Sequence, residues 1–366
     1  MKANLYGIKL GSERTVVYGK GVAPKSKVIP NTWGPRHELT CVQRVPTHLL
    51  RPDFNYRFSY EAEHYKETIY PLEYGLPRDD DLVPLSKAVL LTKEYVDWLL
   101  RDGDEDTGIV FCLPMMQQKE GLEHLKAILN RLSKGTIGKK FIGEAWAAAL
   151  ATVGIEDTLS THLISMNFGS STLEVALYSG KELVAQNVYP HGGWDLDRDL
   201  ASAISQAHRG ITVTARHTRI VKEKFAYNPD PEKVDPVEGE FLKGGKVVET
   251  LVEAATINPV IEKFCEDIAE EMAAKFLPTA ARASEVAVSS LQTEGIGKLC
   301  VCGGLSDMPG FAKLMGDTLI KHKAMSPQID VVSPKDPDGV SAPAWGAYMM
   351  AELFEERRIS KKQDTW

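Results

Sequence analysis

Residues 164–180 have the sequence ISMNFGSSTLEVALYSG, in which two apolar, β-rich segments flank a Gly-Ser-Ser-Thr turn. Short hairpins usually turn on Asn-Gly or Asp-Gly. A turn of one glycine and three hydroxyl residues instead offers backbone N–H groups and hydroxyls in a concave arc, which suits an anion such as phosphate. The stretch therefore predicts a hairpin with a candidate phosphate loop, and an ordinary surface hairpin is the alternative.

A second stretch of the same design lies near the N-terminus. Residues 6–18 repeat the order of strand, Gly-Ser turn and strand, with the turn at Gly11 and Ser12. The two turns lie about half a chain apart, and each leads into another strand. Two unrelated hairpins are the alternative, but the pair favours duplicated halves that face each other across a nucleotide.

The composition excludes several functional classes. The 366 residues are 43% hydrophobic and 25% charged, as in an ordinary globular protein of two or three domains, and the net charge is −7. This acidic balance argues against direct binding of nucleic acid. The sequence has no apolar run long enough to span a membrane, no secretory apolar core before its first strand and no H-E-x-x-H motif. We therefore expect a cytoplasmic protein that does not insert into a membrane and is not a metallohydrolase.

The five cysteines do not form a metal or redox motif. Cys300 and Cys302 are separated by one residue, which is not the C-x-x-C spacing of zinc or redox sites. The set is odd in number and scattered, so we expect buried free thiols in a reducing compartment.

Alternating strand and helix patterns predict an α/β fold with parallel strands. In the first half, helices are expected over residues 84–100, 120–132 and 144–151, with strands over 108–114 and 141–142. In the second half, the hairpin is followed by a glycine turn at 192–193 that feeds a helix through 207. Further predicted elements are a helix over 216–227, a solvated loop and short hairpin over 228–249, a helix from about Pro259 to Phe276, a strand and double-glycine turn over 298–304, and a helix beginning near 340.

The order of these motifs resembles that of the actin/DnaK-type ATPases. The matching segments, in chain order, are GIKLGS at 7–12, EAWAAA at 144–149, NFGSST at 167–172, Gly192-Gly193 and Gly303-Gly304. They resemble the first phosphate loop, first connection, second phosphate loop, adenosine region and second connection of that superfamily. Within it, residues 70–75 and 110–114 are similar to the R-P-L-x-D-G and G-V-P stretches of MreB-like and MamK-like bacterial actins.

The resemblance implies an α/β, actin-like fold of two related domains, each with a mixed sheet flanked by helices, around a nucleotide cleft. Domain I would span residues 1–160, with a small irregular subdomain inserted at about 20–70 and the C-terminal helix 340–366 returning to it. Domain II would span 161–339, with a subdomain inserted at about 190–290. The cofactor implied is ATP or ADP. The nucleotide-binding residues implied are Lys9, Gly11, Ser12, Asn167, Gly169, Ser170, Ser171, Thr172, Gly192, Gly193, Glu223, Gly303 and Gly304.

Three acidic residues have specific implied roles, each with a simpler alternative. Glu144 matches the catalytic position that orients the attacking water, although a Glu at a helix start is also a partner for the helix dipole. Glu223 lies in a Lys-Glu-Lys-Phe stretch similar to the K-E-Q-F of MamK, and is a candidate for ribose or adenine binding or else part of a solvated helix face. Asp197 matches the last Asp of a G-G-D-x-F-D motif and could instead be a helix cap.

Two positions depart from the family pattern. Actin-like ATPases have an Asp in each phosphate loop, and these carboxylates hold the water shell of Mg²⁺, whereas this sequence has Lys9 and Asn167. Mg²⁺ prefers anionic oxygen ligands, so no metal ligand is predicted and Mg²⁺ binding is in question. Our hypothesis is that Lys9 takes over part of the role of Mg²⁺ and that hydrolysis is slow if present. The alternative is a decayed site that binds nothing.

The function expected from this resemblance is a cytoskeletal one. The chain would bind an adenine nucleotide in the interdomain cleft and associate with itself into filaments for scaffolding or positioning. Two alternatives remain open: a nonpolymerising pseudo-ATPase adaptor, and a small-molecule kinase of the same superfold.

Overall fold

The computed structural model describes residues 4–19, 36–39, 42–44, 56–63, 68–73, 76–100, 107–114, 119–132, 134–335 and 338–363. Much of the segment 20–70, and also Cys41, Tyr74 and Gly75, lie outside these ranges. The chain divides into two compact units, of which the first comprises Met1–Ala151 and Ser341–Trp366 and the second comprises Thr152–Val340. The first unit is therefore made of two separate stretches of sequence.

The first unit is built on a five-stranded sheet with helices packed against it. Its strands are β1 (Asn4–Leu10), β2 (Arg14–Gly19), β3 (Arg36–Leu39), β4 (Val42–Arg44), β5 (Tyr56–Phe58), β6 (Leu72–Glu73), β7 (Leu76–Pro77), β8 (Thr107–Leu113) and β9 (Gly138–Gly143). Its helices before the second unit are α1 (Tyr60–Glu63), α2 (Leu85–Leu99), α3 (Lys119–Asn130) and α4 (Glu144–Val153). The predicted helices and strands of residues 84–151 are thereby confirmed.

The strand order in this sheet is β3-β2-β1-β8-β9. β1 and β2 form an antiparallel hairpin, whereas β8 and β9 run parallel to β1. The core lies between this sheet and the apolar faces of α2 and α3, where Leu91, Tyr95, Leu125 and Leu129 are buried. Apolar residues at a spacing of three and four put these side chains on one side of each helix.

The second unit repeats this plan. Its helices are α5 (Ile155–Ser160), α6 (Gly193–Ala207), α7 (Ala215–Lys224), α8 (Ala254–Glu271), α9 (Leu277–Ala283), α10 (Glu285–Ser289) and α11 (Phe311–Lys321). Its strands are β10 (His162–Phe168), β11 (Leu173–Ser179), β12 (Glu182–Tyr189), β13 (Val237–Lys243), β14 (Lys246–Val252), β15 (Lys298–Gly303) and β16 (Asp330–Val332). The quoted stretch 164–180 thus forms most of the hairpin β10–β11, as predicted.

The two sheets have the same topology. The second sheet has the order β12-β11-β10-β15-β16, with an antiparallel hairpin on one side of β10 and parallel strands on the other. In each unit the first strand is therefore central, the second and third follow on one side, and the fourth and fifth follow on the other. This repetition confirms that the two halves are related.

The C-terminal helix α12 (Ala342–Gln363) packs closely on the first unit. A Cβ at Gly7 would lie 2.1 Å from the carbonyl oxygen of Ala344, and one at Gly346 would lie 1.8 Å from that of Ala147. Such distances are impossible for a side chain, so glycine is required at both positions. The alanine-rich start of α4 allows the same close approach from the other side.

The predicted start of the long helix at Pro259 is wrong. α8 begins five residues earlier, and Pro259 lies inside it. The turn before Pro259 is helical because it buries Ala254 and Ile257 in the core of the second unit. α8 tolerates the proline in its second turn and is followed by a single π-helical turn over Met272–Phe276 before α9.

The hairpin expected within 228–249 is present, and its strands are longer than predicted. β13 and β14 have seven residues each and are joined by Gly244 and Gly245, both with positive φ. Two glycines with positive φ suit the tight turn of a two-residue hairpin loop. The cysteines within the described ranges are buried, as expected, and none of them is in a disulfide; they are Cys112, Cys265, Cys300 and Cys302.

Candidate functional site

The first loop follows directly from the central strand of the first sheet. Gly11 donates its backbone N–H to the carbonyl oxygen of Arg14 over 3.2 Å, which closes the turn between β1 and β2. A Cβ at Gly11 would lie 2.5 Å from that same oxygen, so only glycine fits. Ser12 is buried in the turn. The loop is therefore a tight cradle at the end of β1.

Strand register places Lys9 beside Glu144. Lys9 lies opposite Cys112 of β8, which in turn lies opposite Ile142 of β9, and Glu144 follows two residues later as the first residue of α4. The carboxyl ends of parallel strands meet at one edge of a sheet. The Nζ of Lys9 is 3.7 Å from the Oε2 of Glu144, and both side chains are about one-tenth exposed. Two predicted site residues are thus brought together as a buried ion pair.

The second loop has the same construction. Gly169 donates its N–H to the carbonyl oxygen of Thr172 over 2.8 Å, and a Cβ at Gly169 would lie 3.2 Å from that oxygen. Ser171 is buried, whereas Ser170 and Thr172 are half-buried. Asn167 is buried in β10, with Glu174 of β11 and Cys302 of β15 opposite it in the two ladders. Both hydroxyl-bearing loops therefore end a central strand.

Gly192 and Gly193, at the start of α6, pack against the backbone of the second loop. The N–H of Gly193 donates to the carbonyl oxygen of Gly169 over 3.0 Å, and the N–H of Trp194 donates to that of Ser170 over 2.8 Å. A Cβ at Gly192 would lie 2.6 Å from the oxygen of Ser170. The start of α6 thus packs directly on the loop, and these two N–H groups fix its shape.

Asp197 is not a helix cap. The N-cap of α6 is Gly192, and its N–H donates to the Oδ2 of Asp195, the third residue of the helix, over 3.0 Å. Asp197 is instead fully buried and forms an ion pair with Lys222 of α7, with 2.6 Å between Oδ1 and Nζ. The same ammonium donates to the carbonyl oxygen of Gly193 over 3.1 Å. This lysine therefore ties α7 to the start of α6 and, through Gly193, to the second loop.

Gly303 lies beside the end of β10, and Gly304, which follows it, is exposed. Gly303 has a φ of +83°, and a Cβ there would lie 2.2 Å from the carbonyl oxygen of Phe168. The turn is held by Ser306, whose hydroxyl donates to the carbonyl oxygen of Gly303 over 2.7 Å, and by Asp307, which accepts from the N–H of Gly339 over 2.6 Å. Glycine is thus needed for the chain to leave β15 next to the end of β10.

Comparison with known proteins agrees with this geometry. A protein-family model described as Salactin matches residues 3–355. The chain belongs to the salactin family. A search of curated proteins finds no match.

Solved structures share the fold of this salactin-family chain. A structure described as "MamK double helical filament" superposes with a TM-score of 0.71 and 18% identity, covering 96% of this chain and 99% of the other. MreB5 of Spiroplasma citri bound to ADP gives a TM-score of 0.69 at 14% identity over 97% and 98% of the two chains. The same protein bound to AMPPNP gives 0.69 and 14% over the full length of both. The actin-like fold expected from the sequence is confirmed.

Lys222 is a residue of this salactin-family chain that the sequence analysis missed. The predicted neighbour, Glu223, is exposed, whereas Lys222 is buried. A signal was present, because Thr218, Val221, Lys222 and Phe225 are spaced as one face of a helix and all four are buried. A lysine on the same helix face as Val221 and Phe225 indicates a buried charge that needs a partner.

Acidic side chains that would hold a metal ion do not cluster in the described part of this salactin-family chain. No group of three or more His, Cys, Asp or Glu residues with suitable geometry is found there. At the first loop, the carboxylate of Glu144 lies beside a cation, the ammonium of Lys9, and not beside other metal-binding side chains of such a group. Among the helices of the described ranges, none is both long enough and apolar enough for a membrane span.

Proposed function

We propose that this chain is an actin-like cytoskeletal protein that binds ATP or ADP and polymerises into filaments for scaffolding or positioning inside the cell. The observation that carries the proposal is the repeated loop construction: in each sheet the central strand ends in a tight Gly-Ser turn. Backbone N–H groups of such turns bind phosphate, and glycine permits close approach of the anion. Gly11 and Ser12 would serve in the first loop, and Gly169, Ser170, Ser171 and Thr172 in the second.

Similarity to solved structures supports the nucleotide and the assembly. One structure with the same fold is a MamK filament, and two are MreB5 with ADP and with AMPPNP. Coverage is nearly complete in both directions for all three structures. The close backbone contacts of Gly192, Gly193 and Gly303 support their assignment, together with the exposed Gly304, to the walls of a nucleotide site. Glu223, which is exposed, remains our candidate for ribose or adenine binding.

Slow hydrolysis is part of this proposal. Glu144 would be the catalytic residue that orients water, but its carboxylate lies 3.7 Å from the ammonium of Lys9. A carboxylate held in an ion pair is a weaker acceptor for a water proton, so turnover would be low.

One specific observation favours a second candidate, a nonpolymerising adaptor: Lys9 and Asn167 occupy the positions where the family resemblance implies carboxylates.

Sedimentation separates the two candidates. Purified protein is pelleted with ATP, with ADP and without nucleotide over a range of salt concentrations, and the pellets are viewed by negative-stain microscopy. The filament proposal predicts nucleotide-dependent polymers. Monomers under every condition, together with measurable nucleotide binding by calorimetry, would favour the adaptor. Absence of both binding and polymers would contradict the proposal as a whole.

A further inference from the structure

The positive charge at the first loop is part of the chain itself. Lys9 is the penultimate residue of β1, directly before the turn at Gly11 and Ser12, and only 8% of it is exposed. Lysine rarely buries its ammonium unless a partner compensates the charge. Glu144, at 3.7 Å, supplies that compensation. A fixed cation is therefore held next to the loop before any ligand arrives.

These residues do not fit a divalent cation. Mg²⁺ needs a small octahedral shell of oxygen ligands, commonly including carboxylates. An ammonium occupies the end of β1, and the equivalent position of β10 carries the neutral side chain of Asn167. A divalent ion placed near Lys9 would be repelled by it, and such repulsion is strong in a partly buried site. The first loop is thus built for an anion alone.

The ion pair of Lys9 and Glu144 is open to competition. Charge-assisted hydrogen bonds between ammonium and carboxylate groups have lengths of about 2.7–2.9 Å, whereas these atoms are 3.7 Å apart. The pair is therefore held by charge at a longer distance. A phosphate oxygen that approaches the loop would offer Lys9 a second anionic partner at closer range.

We infer that this site takes its nucleotide as the free polyphosphate anion, without a divalent metal, and that Lys9 exchanges its ion pair with Glu144 for the phosphates. The inference rests on the nucleotide binding proposed above. It adds that the bound form is the uncomplexed nucleotide, and that Glu144 competes with the ligand for the ammonium. Added Mg²⁺ would then weaken binding, because it removes free nucleotide from solution.

The first test is calorimetric titration of the full chain with ATP, once in EDTA and once in excess Mg²⁺. The inference predicts a lower dissociation constant in EDTA than in excess Mg²⁺, because only the uncomplexed nucleotide binds. Binding that is as tight in excess Mg²⁺ as in EDTA, or tighter, would overturn the inference and leave the proposed function standing. Failure to bind in both media would overturn the proposed function, and the inference with it.

Variants of the pair test the exchange in EDTA. Lys9→Met keeps the apolar stem and removes the charge, so the dissociation constant should rise by about 10- to 140-fold, which corresponds to one charged hydrogen bond. Glu144→Gln removes the competitor, so binding should tighten by up to about fivefold. Unchanged affinity in Lys9→Met, or weaker binding in Glu144→Gln, would overturn the exchange.

One double variant and one control pair keep this test interpretable. Lys9→Met leaves a buried carboxylate without its cation, so Lys9→Met with Glu144→Gln, which removes both charges, is measured in parallel and should show the same loss of affinity as Lys9→Met. The matched control is the exposed pair of Lys126 and Glu123 in α3, with 3.0 Å between Nζ and Oε1. Lys126→Met and Glu123→Gln should leave the dissociation constant unchanged; if they shift it as much as the Lys9 and Glu144 variants do, the effect is one of general charge and the inference fails.

Discussion

Lys9 and Asn167 occupy the same position in the two five-stranded sheets. Each is the penultimate residue of a seven-residue central strand, and each faces a buried cysteine across the parallel ladder, Cys112 for Lys9 and Cys302 for Asn167. Each also precedes a tight Gly-Ser turn. The two sheets therefore share the same backbone arrangement at this position but differ in the side chain, which is the ammonium of Lys9 in the first sheet and the amide of Asn167 in the second.

This equivalence predicts that metal dependence can be installed. Lys9→Asp combined with Asn167→Asp would supply two carboxylates at the loop roots, which are ligands that suit Mg²⁺ and its water shell. We expect ATP binding by the double variant to require Mg²⁺ and phosphate release to rise above that of the wild type. Calorimetry in EDTA and Mg²⁺, with a phosphate-release assay, measures both. Tight binding of ATP by the double variant in EDTA would contradict the assignment of these two positions.

The buried pair of Asp197 and Lys222 predicts a strong, coupled effect on stability. Lys222→Met would leave a carboxylate that is 1% exposed without its cation. Breaking a buried ion pair in this way costs about 3–5 kcal/mol of unfolding free energy. Asp197→Leu with Lys222→Met removes both charges and should recover most of that loss. Urea unfolding of the single and double variants measures the free energy of unfolding of each, and together with the wild type they form a double-mutant cycle.

An exposed pair in the same unit is the control for this cycle. Lys313 and Asp317 lie four residues apart on α11 with side chains 80% and 59% exposed. Lys313→Met should change the unfolding free energy by no more than about 0.5 kcal/mol, because exposed ion pairs contribute little. Equal losses for Lys222→Met and Lys313→Met would show that burial of the first pair is unimportant.

Close packing of α12 predicts that Gly346 cannot be enlarged. Gly346→Ala would place Cβ 1.8 Å from the carbonyl oxygen of Ala147, so α12 must move away from α4. We expect a loss of about 1–3 kcal/mol, as for other overpacked sites. Gly138→Ala is the matched control, since a Cβ there has nothing within 4 Å. Thermal melting of both variants is the measurement, and similar melting temperatures would contradict the packing described.

Tyr178, which is buried, and Tyr227, which is half-buried, predict loss of stability at alkaline pH. Burial, and then the carboxylate of Glu174, raises the pKa of Tyr178 above its ordinary value. Burial and a 2.8 Å hydrogen bond donated to Glu262 likewise raise the pKa of Tyr227. Both hydroxyls stay protonated in the folded chain at pH values where an unfolded tyrosine ionises, near 10. The protonated hydroxyls therefore make their full contribution to the free energy of unfolding below pH 10, and this contribution is lost as the pH rises above 10.

The expected slope is about 1.4 kcal/mol per pH unit for each such tyrosine. Urea midpoints between pH 8 and pH 11 measure this slope. Tyr178→Phe should reduce the slope by about the amount that one tyrosine contributes. Tyr227→Phe should do the same and should also cost about 0.5–1.5 kcal/mol at pH 8, because its hydrogen bond to Glu262 is lost. A wild type and a Tyr178→Phe variant with identical pH slopes would contradict the prediction.

Local signals in the sequence predicted most of the elements and the two loops. The Gly-Ser turns at 11–12 and 169–172 were recognisable because glycine and hydroxyl residues have strong turn preferences. The apolar spacing of α2 and α3 was sufficient because one face of each helix is buried. The start of α8 was predicted wrongly because the first turn, which holds Ala254 and Ile257, is fixed by burial in the core, and this depends on distant segments.

The sequence by itself indicated duplicated halves with glycine-containing loops, and it fixed a lysine and an asparagine as the residues two positions before those loops. Only the tertiary structure decided which charges meet. Lys9 and Glu144 are 135 positions apart in the chain, and parallel pairing through β8 brings them to one sheet edge. Lys222 and Asp197 form their ion pair only when α7 packs on α6. Turn and helix preferences act over a few neighbouring residues, whereas the burial and pairing of charges depend on contacts between distant segments, which no local pattern specifies.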